Sequence, residues 1–479
     1  MKKQRSVIIA KNKEWLLPSY GTIRVIYNII IHFISRGNYK TASDFQYLKI
    51  LRFNLKVLNA WPGNRIEGKQ LKYKILINFG IFLINIFCLS SSMHYMKMNW
   101  EILSFYELGH MYIVLLMTLV ALCRVNLALG SFARFAAGLE IDVYNCPLWR
   151  LTCITVMCSK NYNLELSLFL QTYRKINTIS QLYTLFLTIQ MFVGMFLFNF
   201  IPMWTNYSSG KFKERILYNS TYEHSLYLSI PTNRIIFKKI IHIFLYFFRF
   251  LSYICSTSFC MLDLLLSLMV FNLWGHFKIL LHDLKTFPLP SNKAVSSMDA
   301  SVSAKMYSKK ELNIISQKLR QCIDYHRLIS DFTNNISEGF GAMLFVYYVF
   351  HQVSGCLLLL ECSQMTAEAL MRYLPLSIIL FQQLIQLSVI FELIGSTVRN
   401  LFTIKLNSYS TVYLIFLINL FLSQSEKLKD AVYGVPWQYM DTKNRRIVEI
   451  FLYYVQEPIH VKALGVINIG VTTMATVRF

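Results

Sequence analysis

The chain has 479 residues, of which 55% are hydrophobic and 15% charged. A soluble domain carries about 25% charged residues, so the composition excludes an ordinary soluble globule and points to a membrane protein. A net charge of +23 would suit nucleic acid, but no arginine-rich tract or nucleic-acid motif accompanies it. Lys and Arg collect instead in loops that membrane proteins keep cytoplasmic.

Taken in chain order, residues 1–72 read as a polar, basic amino-terminal region. Its apolar stretch "VIYNIIIHFI" (25–34) is too short to cross a bilayer, and "MKKQRSVIIAKNKEW" has no signal-peptide pattern. Six apolar runs long enough to span follow, at 73–95, 109–129, 183–204, 240–274, 340–361 and 370–395. Each must be a helix, because lipid offers no partner to a backbone amide. The fourth run outruns a hydrocarbon core of about 30 Å, so its far end projects into water. Residues 461–477 read as a seventh span that stops short, at about 25 Å of helix. The expectation is an all-α membrane protein with seven transmembrane helices, the last truncated.

Residues 1–74 hold fifteen Lys or Arg and three Asp or Glu, which places the amino terminus in the cytoplasm. The 205–239 loop then faces outside, and two glycosylation sequons lie there, at Asn206 and Asn219. The orientation is the reverse of G-protein-coupled receptors, whose DRY and NPxxY patterns are also missing. The ten cysteines are scattered, and none has zinc-site spacing. Phosphate loops, HExxH, GxSxG and paired intramembrane carboxylates are absent. The expectation is therefore no enzyme, no metal and no cofactor. Asp263 falls some 23 residues into the fourth span, which puts it at or beyond the inner interface. Arg249 either snorkels to the headgroups or faces a wet cavity.

The run "SEKLKDAVYGVPWQYMDTKNRRIVEIFLYYVQEPIHVKALGVINIG" (425–470) resembles the carboxy-terminal signature of insect odorant receptors. The matching residues are Ser425, Glu426, Ala431, Tyr433, Trp437, Arg445, Arg446 and Pro458. "LKILRFNLKVLNAWPG" (48–63) is similar to that family's amino-terminal segment, so the likeness runs from about residue 44 to the end. The resemblance implies a heterotetrameric, odorant-gated, non-selective cation channel in the plasma membrane of sensory neurons. One partner is a shared co-receptor subunit; the others are a small volatile odorant and membrane lipids, with no nucleic acid.

The same resemblance implies site residues. An odorant pocket among the outer halves of helices two to six would draw on Met111 and Tyr112, then Met195, Phe196 and Phe198. The fourth helix adds Phe247, Phe250 and Tyr253, the fifth His351, and the sixth Tyr373 and Phe381. Asn468, Thr472, Thr473 and Thr476 fall on the pore helix, and Tyr433 and Trp437 on a cytoplasmic anchor (425–460) that holds subunits together.

In the family the sixth span runs directly into the Ser-Glu cluster, whereas here residues 398–424 intervene. Their Leu, Ile, Asn, Phe and Lys, without Gly, Ala or Pro, match translated AT-rich DNA, and the Val-Arg pairs at 398–399 and 477–478 fit intron donor sites. The expectation is a retained intron at 398–424 and an incomplete last helix at 461–479; residues 1–40 precede the family-like region. The alternatives are a gustatory-type receptor of the same inverted class, or a non-functional truncated product.

Overall fold

The computed structural model describes residues 46–58, 71–101, 103, 105–139, 162–208, 234–290, 306–363, 367–392, 424–457, 459–465 and 467–468. A short helix, α1 (Gln46–Val57), precedes six long ones. These are α2 (Leu71–Met98), α3 (Phe105–Leu139), α4 (Tyr162–Ser208), α5 (Arg234–Lys285), α6 (Lys309–Cys362) and α7 (Ala367–Glu392). They contain the first five apolar runs read from the sequence, and the sixth as far as Glu392. Five carry segments long and apolar enough to cross a membrane, and α3 contributes a shorter one, Met111–Leu127. The protein is an all-α membrane protein.

α5 is the central helix: from Thr257 to Leu273 every residue except Asn272 is buried. Leu262, Leu264, Leu266, Val270 and Leu273 are fully enclosed, packed by α3, α4, α6 and α7. α2 lies at the periphery, with Leu76, Phe79, Leu83 and Phe87 exposed where lipid would cover them. Gly275 lets α4 approach, since a Cβ there would fall 2.2 Å from Ile176 Cδ1.

α5 and α6 have 52 and 54 residues, each roughly twice what a bilayer core requires. Their excess turns form a second body, to which α8 (Gln424–Tyr433) and α9 (Thr442–Tyr454) are added. α8 packs on α5 and α9 on α6, and Val432, Val435, Met440, Val448 and Phe451 enter one continuous core with Ile315, Leu319 and Ile329. Sequence-local polar contacts set the helix starts. Ser308 and Glu311 form a reciprocal capping box at the head of α6, at 2.7 and 3.4 Å, and Asp441 caps α9 by accepting from Asn444 N at 3.2 Å. Asn444 Nδ2 donates to the Leu312 carbonyl (3.3 Å). Burial pushes the Tyr307 phenol up to about 12, so it stays protonated and donates to the Pro288 carbonyl (2.5 Å).

The reading of a helix starting at Val461 does not hold for the described residues there. Lys462–Ala463 (β1) and Ile467–Asn468 (β2) pair as an antiparallel hairpin. Leu464 (φ 50°) and Gly465 (φ 73°) turn the chain through the left-handed region, which a right-handed helix cannot pass. The hairpin is held by α6: Ser337 Oγ accepts from Lys462 N at 3.0 Å. Gly341 leaves room for it, because a Cβ there would sit 3.0 Å from both Leu464 N and Lys462 O. Residues 469–479 lie outside the described residues. Gly341→Val should displace the hairpin and cost about 1–3 kcal/mol, read as a lower unfolding temperature of the purified protein. Gly194→Val is the control, since a Cβ at Gly194 meets nothing within 4 Å.

Candidate functional site

The centre of the bundle is polar where lipid-facing helices have least reason to be. Arg124 of α3 is completely buried and its Nη2 donates to Asp263 Oδ1 of α5. Its Nη1 donates to the Phe259 carbonyl at 3.4 Å. The guanidinium lies over two rings, Tyr347 of α6 at 4.8 Å and Phe259 at 5.2 Å, which adds cation–π attraction in a dry setting. One turn on from Asp263, the Ser267 hydroxyl donates back to the Asp263 carbonyl (2.6 Å) and lies 3.1 Å from Tyr183 OH of α4. Gln386 Nε2 of α7 donates to that same phenol at 2.5 Å. Five helices are thus tied by one polar thread. Asp263 is therefore enclosed among the helices, where Arg124 supplies its counter-charge. The sequence signal for this pair was one Arg in the second apolar run and one Asp in the fourth, since intramembrane charges pair with one another.

Between this thread and the end of α6 at Cys362 and start of α7 at Ala367, an apolar cluster collects Ile113 and Val120 of α3, Phe259 of α5, Phe350 and Leu358 of α6, and Tyr373 and Leu380 of α7. Phe259 and Phe350 pack at 5.1 Å between centroids. His351 enters beside them, 4.1 Å from the Tyr347 ring and 5.2 Å from Phe350. α7 carries Pro375 within its length, which removes one backbone N–H from the helix ladder next to this cluster.

The residues expected from sequence divide into groups. His351, Tyr373 and Met111 are buried, and Phe381 reaches α6 at Gly355, where a Cβ would be 3.4 Å from its Cζ. Met195 and Phe198 are half-buried on α4. Tyr112 and Phe196 are exposed on the bundle's surface; Phe196 stacks on Phe200 (4.8 Å), which in turn stacks on Trp204, along a stripe facing away from the core. Tyr253 is turned toward α1, donating to Asn54 Oδ1 at 2.7 Å. Phe247 and Phe250 belong to α5, but their side chains lie outside the described residues, as do Thr472, Thr473, Thr476 and Asn219. Asn206 falls in the last turn of α4 rather than in a loop. Asn468 is exposed on β2. Tyr433 and Trp437 remain exposed, their rings 6.4 Å apart. Among the described residues no cluster of His, Cys, Asp or Glu could hold a metal.

A bundle of long apolar helices, polar at its centre and extended at one end into a helical second body, defines a multispanning helical membrane protein. The family model described as "7tm Odorant receptor" matches residues 160–391 and 376–479, two thirds of the chain. The protein belongs to that family and is an odorant receptor. Among solved structures, the insect olfactory receptor OR5 from Machilis hrabei superposes with a TM-score of 0.61 at 10% identity, covering 90% of this chain and 94% of that one. The same receptor in complex with eugenol gives 0.59 at 10% identity over 89% and 93%. At that identity the likeness shows a shared fold. No curated protein matches the chain.

Removing one partner of the central ion pair leaves the other charge buried and uncompensated, which costs about 3–5 kcal/mol. Asp263→Asn and Arg124→Gln should each lower the unfolding temperature sharply in detergent. The double variant Arg124→Met with Asp263→Leu should lose markedly less than the sum, as a double-mutant cycle will report.

Proposed function

We propose that the chain is the odorant-binding, tuning subunit of a heteromeric, odorant-gated, non-selective cation channel, assembled with a co-receptor subunit. Membership of the odorant receptor family, with the matching fold, carries this reading. The excess of basic residues in 1–74 supports a cytoplasmic amino terminus, in the plasma membrane of sensory neurons. The end of α6 at Cys362 then faces outward and the α8–α9 body lies in the cytoplasm. The cluster of Ile113, Phe259, Phe350, Tyr373 and Leu380, with His351 beside it, has the apolar walls and sparse polar groups of a small-molecule site. The solved complex of the similar receptor with eugenol supports a ligand of that size and polarity. Exposed Tyr433 and Trp437 are the anchor contacts offered to a neighbouring subunit, and Thr472, Thr473 and Thr476 contribute to the pore.

A second reading concerns residues 398–424, as translated intron sequence within the message of a working or non-functional receptor. The family match divides into two stretches whose overlap, 376–391, immediately precedes them. Long-read transcript sequencing should show a dominant mature message lacking this segment; its presence there would sink the idea.

Co-expression with a co-receptor in oocytes tests the main proposal, using the full chain and a version lacking 398–424. An odorant-evoked cation current that requires both subunits is the expected result; silence of both versions at normal surface levels would refute it. Trp437→Ala together with Tyr433→Ala should abolish co-purification with the co-receptor while leaving the unfolding temperature of the isolated chain unchanged, since both side chains are exposed.

A further inference from the structure

We propose that His351 and Ser354 of α6 form a hydrogen-bonding subsite that selects odorants bearing a hydroxyl or carbonyl oxygen over hydrocarbons of the same shape. This rests on the pocket reading above and adds the chemical class of its ligand. His351 and Ser354 are three residues apart on one helix, so they share a face. Both are buried, at 3% and 0% exposure, and neither His351 ring nitrogen nor Ser354 Oγ has a hydrogen-bond partner. The His351 ring approaches the Leu380 backbone of α7 without reaching hydrogen-bond geometry.

Ser354 differs from other buried hydroxyls of this bundle. Thr118, Thr184, Thr333 and Ser337 each donate to the carbonyl four residues back, at 2.7 to 2.9 Å. That local bond is the usual way a helical hydroxyl is satisfied away from water. Ser354 makes none, which leaves its donor free toward the bundle. A buried polar group without a partner is unfavourable, so side chains of this kind mark a place where another molecule completes the bonding. Neutral imidazole offers one donor and one acceptor, and a hydroxyl offers both, so the pair accommodates either an alcohol or a ketone.

The surroundings set the remainder of the ligand. Phe350 packs beside the His351 ring, Tyr373 belongs to the same apolar cluster as Phe350, and Phe381 lies against Gly355, the residue after Ser354. An ionised ligand has no counter-charge to meet, because Arg124 and Asp263 already neutralise one another one turn away, beside Tyr347. The class is therefore a neutral, mainly apolar volatile with a single hydrogen-bonding oxygen.

Three probes with one carbon skeleton test this: acetophenone, α-methylbenzyl alcohol and ethylbenzene. Saturable binding is measured on the purified full chain in lipid nanodiscs, with empty nanodiscs subtracted. The two oxygenated probes should bind roughly fivefold or more tightly than ethylbenzene, the effect of one or two net hydrogen bonds. Ser354→Ala and His351→Leu should each erode that preference without weakening ethylbenzene, and His351→Asn, which keeps a donor and an acceptor, should retain part of it. Ser354→Ala removes a single oxygen, so it reports even if His351→Leu fails to fold. Equal affinities for all three probes, or a preference that survives Ser354→Ala and His351→Leu, would overturn the subsite. If the preference holds while co-expressed chains give no current, the channel reading fails and the subsite stands. If currents are normal and the preference is absent, the subsite alone fails.

Discussion

A buried arginine and a buried aspartate, one on α3 and one on α5, fix how the bundle must assemble. Either charge alone in a membrane interior is costly, and each is expensive to leave unpaired once it is away from water. Pairing Arg124 with Asp263 therefore sets the register of α3 against α5, and the rings of Tyr347 and Phe259 bring α6 into the same geometry. Ser267, Tyr183 and Gln386 extend the constraint to α4 and α7. Apolar packing in lipid lacks the drive it has in water, so a polar thread of this kind supplies directional contacts that Leu and Ile cannot.

The thread also divides the bundle along its length. Toward the end of α6 at Cys362 and the start of α7 at Ala367 lies an aromatic and aliphatic cluster with few polar groups. In the opposite direction α5 and α6 continue without interruption into the body built with α8, α9 and the hairpin. The Arg124–Asp263 pair stands between that apolar cluster and the second helical body.

The six spans were legible because each is a long apolar run and the bilayer allows a backbone no other solution. The over-long fourth run likewise signalled the extension of α5. The partner of Asp263 was not legible, since counting along one helix says nothing of a residue on another. Tyr112 and Phe196 looked like pocket residues by type and depth, yet they face outward. Hydropathy does not separate lipid-facing aromatics from core-facing ones when both environments are apolar. The pairing of Lys462–Ala463 with Ile467–Asn468 escaped for a related reason: Val461 and Ile467 suit a strand as well as a membrane helix, and Ser337 and Gly341, which the pair lies against, are far away in sequence.

The sequence by itself determined the solvent this protein lives in, the number of its described apolar helices, and the resemblance that led to its family. Those properties depend on composition and on local pattern, both of which are summed along the chain. Which charges meet, which aromatics turn inward and which hydroxyl is left without a bond were decided only by tertiary structure. Each depends on the rotation of one helix relative to its neighbours, and that rotation is fixed by contacts between residues more than a hundred positions apart, as Arg124 and Asp263 are.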